Sequence, residues 1–151
     1  MKVNPQYNSK EKLLALYNKP LLELIYEAAT IHREYHNPRE VQMSSLISIK
    51  TGGCSEDCGY CPQSARYDTS VDNEPLMQID DVIIAAKKAK DAGATRFCMG
   101  AAWRRPSNKN IDRVIKMIDV VHNLGMESCV TLGMLSEDQA NRLSKSGLNY
   151  Y

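Results

Sequence analysis

A strand-then-helix unit recurs from residue 80 onward, and no other feature of this chain restricts its fold so strongly. The spacing predicts a helix over residues 80–92 that stops at Gly93, a strand over 95–100, and a helix from about 110 to 124 that stops at Gly125. A third strand is read over 127–132. Its helix starts where Ser136 and Gln139 are spaced as a capping box and stops near Gly147, ahead of Leu148-Asn149-Tyr150-Tyr151, which reads as the start of a further strand. Residues 46–50 form the first short strand, and a long glycine- and cysteine-bearing loop runs from Thr51 to about Gln78. A loop of this length in a compact domain is usually functional.

Consecutive units of this kind imply a parallel sheet with right-handed crossovers, either open or closed into a barrel. An open sheet stopping at a severed strand exposes an edge ready to pair, and a complete (βα)8 barrel takes about 250 residues. The expected fold is α/β: the N-terminal part of a (βα)8 TIM barrel, about three βα units plus the start of strand four, preceded by N-terminal helices. Leu13, Leu16, Leu21, Leu24, Ile25 and Ala28 recur at helical spacing over residues 11–36, with Pro20 able to start a second helix, while residues 1–10 read as loose. The expected domains are a helical extension over 1–40 and a truncated barrel domain over 41–151.

Charge says little about partners. Nineteen lysines and arginines nearly cancel 18 aspartates and glutamates, so no basic field draws the chain to nucleic acid or an anionic membrane. The run Lys87, Lys88 and Lys90 near a helix end reads as a solvated face. His32, His36 and His122 lack partners at ligand spacing and read as solvated too. No apolar run approaches the roughly 20 residues of a membrane span, and the polar opening lacks the apolar core of a secretory signal. The expected location is cytoplasmic.

Three of the five cysteines, Cys54, Cys58 and Cys61, are crowded into the long loop just past the first strand, where barrel enzymes keep their active sites. Glycines 52, 53 and 59 let the backbone wrap a metal centre, and thiolates are the standard ligands of iron–sulfur clusters. Three thiolates satisfy three irons of a [4Fe-4S] cube and leave the fourth open. The alternative is a closed zinc knuckle, for which no nearby fourth His or Cys is present, the nearest downstream histidine being His122.

Strand periodicity puts Arg96, Cys98 and Gly100 on one face of the second strand, and Glu127, Cys129 and Thr131 on one face of the third. With the more apolar faces packed on helices, these residues point into the lumen, with Ser48 and Lys50 beside them. A purely structural barrel prefers Val, Ile and Leu there. Cys98 and Cys129 are read either as ligands of a second metal centre or as inert buried cysteines.

Three segments together resemble the biotin synthase family of radical S-adenosylmethionine enzymes: residues 48–64 around the cysteine triad, the run Phe97-Cys98-Met99-Gly100-Ala101-Ala102-Trp103-Arg104, and the run Cys129-Val130-Thr131-Leu132-Gly133-Met134. The resemblance implies a [4Fe-4S] cluster on Cys54, Cys58 and Cys61, with S-adenosyl-L-methionine chelating the open iron. It implies that Cys98 and Cys129 supply two ligands of a [2Fe-2S] cluster that serves as sulfur source, the other ligands lying beyond Tyr151. It further implies insertion of sulfur into dethiobiotin, and a cofactor and substrate pocket near Tyr60, Ala101 and Trp103, although simple packing also accounts for Trp103. An electron donor such as flavodoxin or ferredoxin, and a homodimer when full length, follow from the same resemblance. No catalytic side chain is assigned, and the chain as it stands is expected to lack turnover. Another radical enzyme on this barrel would share the triad without needing both Cys98 and Cys129. A zinc-stapled module without catalysis would need neither.

Overall fold

The structure is a computed structural model and describes residues 9–151. The chain separates into two compact units, one ending at Val41 and the other spanning Gln42–Tyr151.

In the first unit the Ser9 hydroxyl accepts from the Lys12 amide and starts α1 (Lys10–Tyr17). Pro20, with φ fixed at −53°, leads into α2 (Leu21–Tyr35). The restart expected at Pro20 is therefore present. The opening read as loose lies outside the described residues for positions 1–8, and Lys10 is already helical. Neither helix buries a residue fully.

The second unit alternates strand and helix: β1 (Ser44–Lys50), α3 (Ile79–Asp91), β2 (Arg96–Ala101), α4 (Asn108–Asn123), β3 (Glu127–Thr131) and α5 (Glu137–Lys145). The strands are parallel in the order β1-β2-β3, and Tyr150 pairs with Cys129 as a fourth strand begins. Val130 donates to the Tyr150 carbonyl at 3.1 Å and Tyr150 to that of Ser128 at 3.2 Å. This is the partial (βα) barrel expected from the repeat.

Boundaries follow the caps. The Ser107 hydroxyl accepts from the Asn110 amide, which starts α4 ahead of the expected residue 110. The capping box of α5 is complete, and its Gln139 also donates to the Pro106 carbonyl at 3.0 Å and Asn108 Oδ1 at 2.9 Å, tying the starts of α4 and α5 together. The helices pack on the sheet face carrying Ile49, Phe97, Met99 and Val130, with Val82 and Ala86 of α3 and Ile111 and Met117 of α4 in the same core.

A fully buried polar residue interrupts that face. Ser128 is fully buried, its hydroxyl 3.0 Å from His122 Nε2 and its amide donating to Asn149 Oδ1 at 2.9 Å. His122 is thus a half-buried hydrogen-bonding partner rather than the solvated residue expected, because the last turn of α4 lies over the start of β3. Among the described residues no helix is long and apolar enough to cross a membrane.

Candidate metal and cofactor site

β1 enters the cysteine loop through a bulge: Ser48 pairs with Gly100, but Lys50 pairs with Ala101. The extra residue turns Lys50 out of the lumen row in which it was expected. Its ammonium donates instead to the carbonyls of Gly52 and, at 3.2 Å, Thr51, and to Asn73 Oδ1 at 2.8 Å. Burial holds the Lys50 pKa below its ordinary value, against an opposing pull from charge on Cys54. Gly52 follows at φ +67°, where a Cβ would overlap the Asp72 carbonyl oxygen, so the return leg of the loop requires glycine here.

The loop then doubles back on itself. Cys54 donates to the Gln63 carbonyl at 2.9 Å and accepts from Ala65 at 2.8 Å, which lays it beside the second half of the triad segment. A turn closes between Cys58 and Cys61 at 2.9 Å, and the buried Ser64 hydroxyl donates to the Glu56 carbonyl at 2.6 Å. Tyr67 donates to Asp57 Oδ1 at 2.6 Å, a bond that raises the Tyr67 pKa. The return leg is fixed by Glu74 donating to Thr51 at 2.9 Å and Met77 to Ile49 at 2.8 Å. From α4, Arg113 reaches the carbonyls of Leu76 and Met77 at 3.2 and 3.0 Å.

This folding brings Cys54, Cys58 and Cys61 to one cavity of about 460 Å³ at the C-terminal end of the strands, together with Ala101, Trp103 and Gly133. Tyr60, expected beside Ala101 and Trp103, is 94% exposed and does not line it. Gly133, at φ +86°, sits where a Cβ would overlap the carbonyl oxygens of Trp103 and Arg104, and Met134 donates to Arg104 at 2.8 Å. The loop after β3 therefore lies directly against the Trp103 segment. An ion pair of 3.0 Å joins Arg104 to Glu56, a cavity residue of the cysteine loop. All five cysteines are free, and among the described residues no three His, Cys, Asp or Glu side chains converge into a ready-made site for a single metal ion. Three thiols opening on one cavity are nonetheless the donor chemistry that iron–sulfur clusters take.

Two residues before the cavity-lining Gly100 and Thr131, Cys98 and Cys129 are direct register partners on the same face. Burial pushes the Cys98 thiol pKa up, and its hydrogen bond and proximity to Cys129 push it further, against the opposing charge of Arg96. One row below, Arg96 pairs with Glu127 at 2.9 Å, Gln42 donates to the same carboxylate oxygen at 2.5 Å, and the guanidinium lies 3.5 Å from the Tyr150 ring centroid. The charged pair thus satisfies itself.

Sequence reasoning missed Gly133, Asn73 and Arg113. Gly133 stood within a run already singled out, but its close approach to Trp103 depends on a second loop. Asn73 and Arg113 carried no local signal.

The profile of the Radical SAM superfamily matches residues 48–151, more than half of the chain, and the chain belongs to that superfamily. Such membership carries the capacity to bind an iron–sulfur centre and S-adenosylmethionine. Within it, the chain is similar to the biotin synthases of Yersinia pseudotuberculosis serotype O:1b (strain IP 31758) and Yersinia pestis (strain Pestoides F). It is 57% identical to each over 138 residues, which cover 91% of this chain and 40% of each relative. The chain thus spans about two fifths of the length of the relatives it matches. Two solved structures share its fold. HydG, a maturase of the [FeFe]-hydrogenase, gives a TM-score of 0.70 at 17% identity, covering 93% of this chain and 32% of HydG. Methylornithine synthase (PylB) gives 0.64 at 19%, covering 94% and 39%.

Proposed function

We propose that this chain carries the radical-generating loop, and two ligands of the sulfur-donating site, of an enzyme that converts dethiobiotin to biotin. The observation that carries the reading is the stacking of two thiol sets on one lumen: the triad around the cavity and the Cys98–Cys129 pair just below it. The likeness to biotin synthases supports the choice of substrate.

Cys54, Cys58 and Cys61 would hold a [4Fe-4S] cluster, and Cys98 with Cys129 two corners of a [2Fe-2S] cluster. The chemistry supplied on binding is one-electron cleavage of S-adenosylmethionine to a 5′-deoxyadenosyl radical, with sulfide for the new carbon–sulfur bonds. The chain's own residues position and enclose. Lys50 and Arg113 brace the two ends of the triad loop by its carbonyls, so the thiols are presented from a fixed backbone. Ala101 and Trp103 give the cavity an apolar wall suited to an adenosine and to exclusion of water, and the Arg104–Glu56 pair links that wall to the loop. Tyr60, on the exposed bend between Cys58 and Cys61, would meet the nucleoside from the solvent side. The residues over 1–40 form a helical extension to a barrel domain over 41–151 in this reading. A small electron carrier of the flavodoxin or ferredoxin type, a cytoplasmic location and a homodimeric whole protein complete it.

Anaerobic incubation of this chain with iron and sulfide tests the first site. A four-iron Mössbauer signal, lost in Cys58→Ala, and a change in Trp103 emission on adding S-adenosylmethionine are expected. Recovery of zinc without acid-labile sulfide would overturn the reading.

A further inference from the structure

The strand-borne cysteines have a capacity that ligation does not use. Cys98 and Cys129 are Cα register partners on adjacent parallel strands. Neighbouring strands lie about 4.8 Å apart, inside the window of about 4.4–6.8 Å between Cα atoms that a disulfide spans. Both side chains leave the sheet on the same face, both are half-buried, and neither is hemmed in by the helical core, which lies on the other face.

We propose that in the metal-free protein Cys98 and Cys129 close to a reversible disulfide across β2 and β3, so that the lumen site exists in a reduced, ligand-competent state and an oxidised, closed one. This rests on the placement of the pair, and it extends the proposed sulfur-donating site by a redox gate. The oxidant is a small disulfide such as oxidised glutathione. One cysteine, as thiolate, attacks a glutathione sulfur and expels a glutathione thiolate, leaving a mixed disulfide. The second cysteine, also losing its proton, attacks the protein sulfur of that adduct and expels the second glutathione thiolate. Two protein thiols become one disulfide, their two protons pass through solvent to the two expelled thiolates, and oxidised glutathione is reduced to two thiols. Held on the directly paired residue of the neighbouring strand, the second thiol acts at an effective concentration far above that of free glutathione, so the mixed adduct is short-lived. Closure consumes both donor sulfurs at once, on a strand pair already in register.

The test uses the 151-residue chain, purified without metal, in two backgrounds: the natural sequence and a Cys54→Ser, Cys58→Ser, Cys61→Ser variant that removes competing loop thiols. Each is equilibrated anaerobically with glutathione buffers of rising oxidised share, quenched by alkylation and mapped by mass spectrometry. The expected product in both is a peptide bearing Cys98 joined to one bearing Cys129. It should exceed the mixed glutathione adduct by about tenfold, vanish in Cys98→Ser and Cys129→Ser, and revert with dithiothreitol. Separate alkylation of both thiols at every potential, or stable glutathione adducts in place of the link, would overturn the proposal. Because this readout needs no iron, it stands apart from the cluster test: failure there with success here discards the proposed function and keeps the redox pair.

Discussion

Replacing Gly133 with alanine isolates the contact that shapes the cavity wall. At φ +86° an alanine adopts the left-handed region at a cost of about 1–2 kcal/mol. Its Cβ would also overlap the carbonyl oxygens of Trp103 and Arg104, and forcing two backbone segments apart adds about 1–3 kcal/mol. The sum, about 2–5 kcal/mol, is a large part of the roughly 5–15 kcal/mol that holds a domain together. Gly93 supplies the control. It has φ +91° with nothing within 4 Å of the place a methyl group would take, so Gly93→Ala bears the backbone cost alone, about 1–2 kcal/mol. Trp103 is the single tryptophan and its carbonyl faces Gly133, so its fluorescence reports both unfolding and the state of the wall. In urea titrations Gly133→Ala is expected to unfold well before Gly93→Ala, and only Gly133→Ala should shift the native emission. If the two variants fell within about 0.5 kcal/mol of each other with the same native emission, the close approach would not be holding the wall.

Removing Arg113 takes away the donor that fixes the return leg of the cysteine loop, so Arg113→Ala should lose about 1–3 kcal/mol and speed proteolytic cleavage within residues 66–78. Arg96→Ala and Glu127→Gln in a double-mutant cycle should show a coupling of about 1 kcal/mol or less that weakens with salt, since the carboxylate side chain is 41% exposed. Tyr151 hydrogen bonds to Gly133 and Leu132, and burial raises its pKa above the ordinary 10.0, against the opposing pull of the Leu132 amide. A raised folded pKa means that its contribution is fully present below pH 10.0 and is lost as pH climbs through the folded value. Ultraviolet titration should show a late tyrosinate component that is absent in Tyr151→Phe.

What could be read from the sequence was local. Each helix of the repeat carries its own apolar spacing and stop, and Ser136 with Gln139 forms a cap from residues three apart, so the order of elements needed no tertiary knowledge. The two lumen faces were equally legible, because alternation along a strand is a backbone property. The bulge at Ser48 and Lys50 was not, since it is set by how β1 meets β2. Gly133, Asn73 and Arg113 act across roughly 20 to 40 residues of sequence, on partners that only the folded loops bring near. His122 is the instructive error. A serine at position 128, in the middle of an apolar strand face, already implied a buried hydroxyl in need of a partner, and His122 supplies it.

The lumen row explains why the thiols, rather than their polar neighbours, are the groups free to take a ligand. Polar side chains on a covered sheet face are costly unless bonded. In the lowest row Arg96 and Glu127 satisfy each other, helped by Gln42 and Tyr150. In the upper row Ser48 bonds the Thr51 hydroxyl at 2.8 Å. Between them Cys98 and Cys129 sit as register partners, and a thiol is a weak donor and acceptor whose bonding adds little to the fold. If stability had chosen these positions, valine would serve as well. The double change Cys98→Val, Cys129→Val should therefore leave the metal-free chain within about 1.5 kcal/mol of the natural one in urea while abolishing any iron bound at the second site. A loss of several kcal/mol would show instead that the thiols are packing residues and that the row is organised around the sheet and not around a ligand.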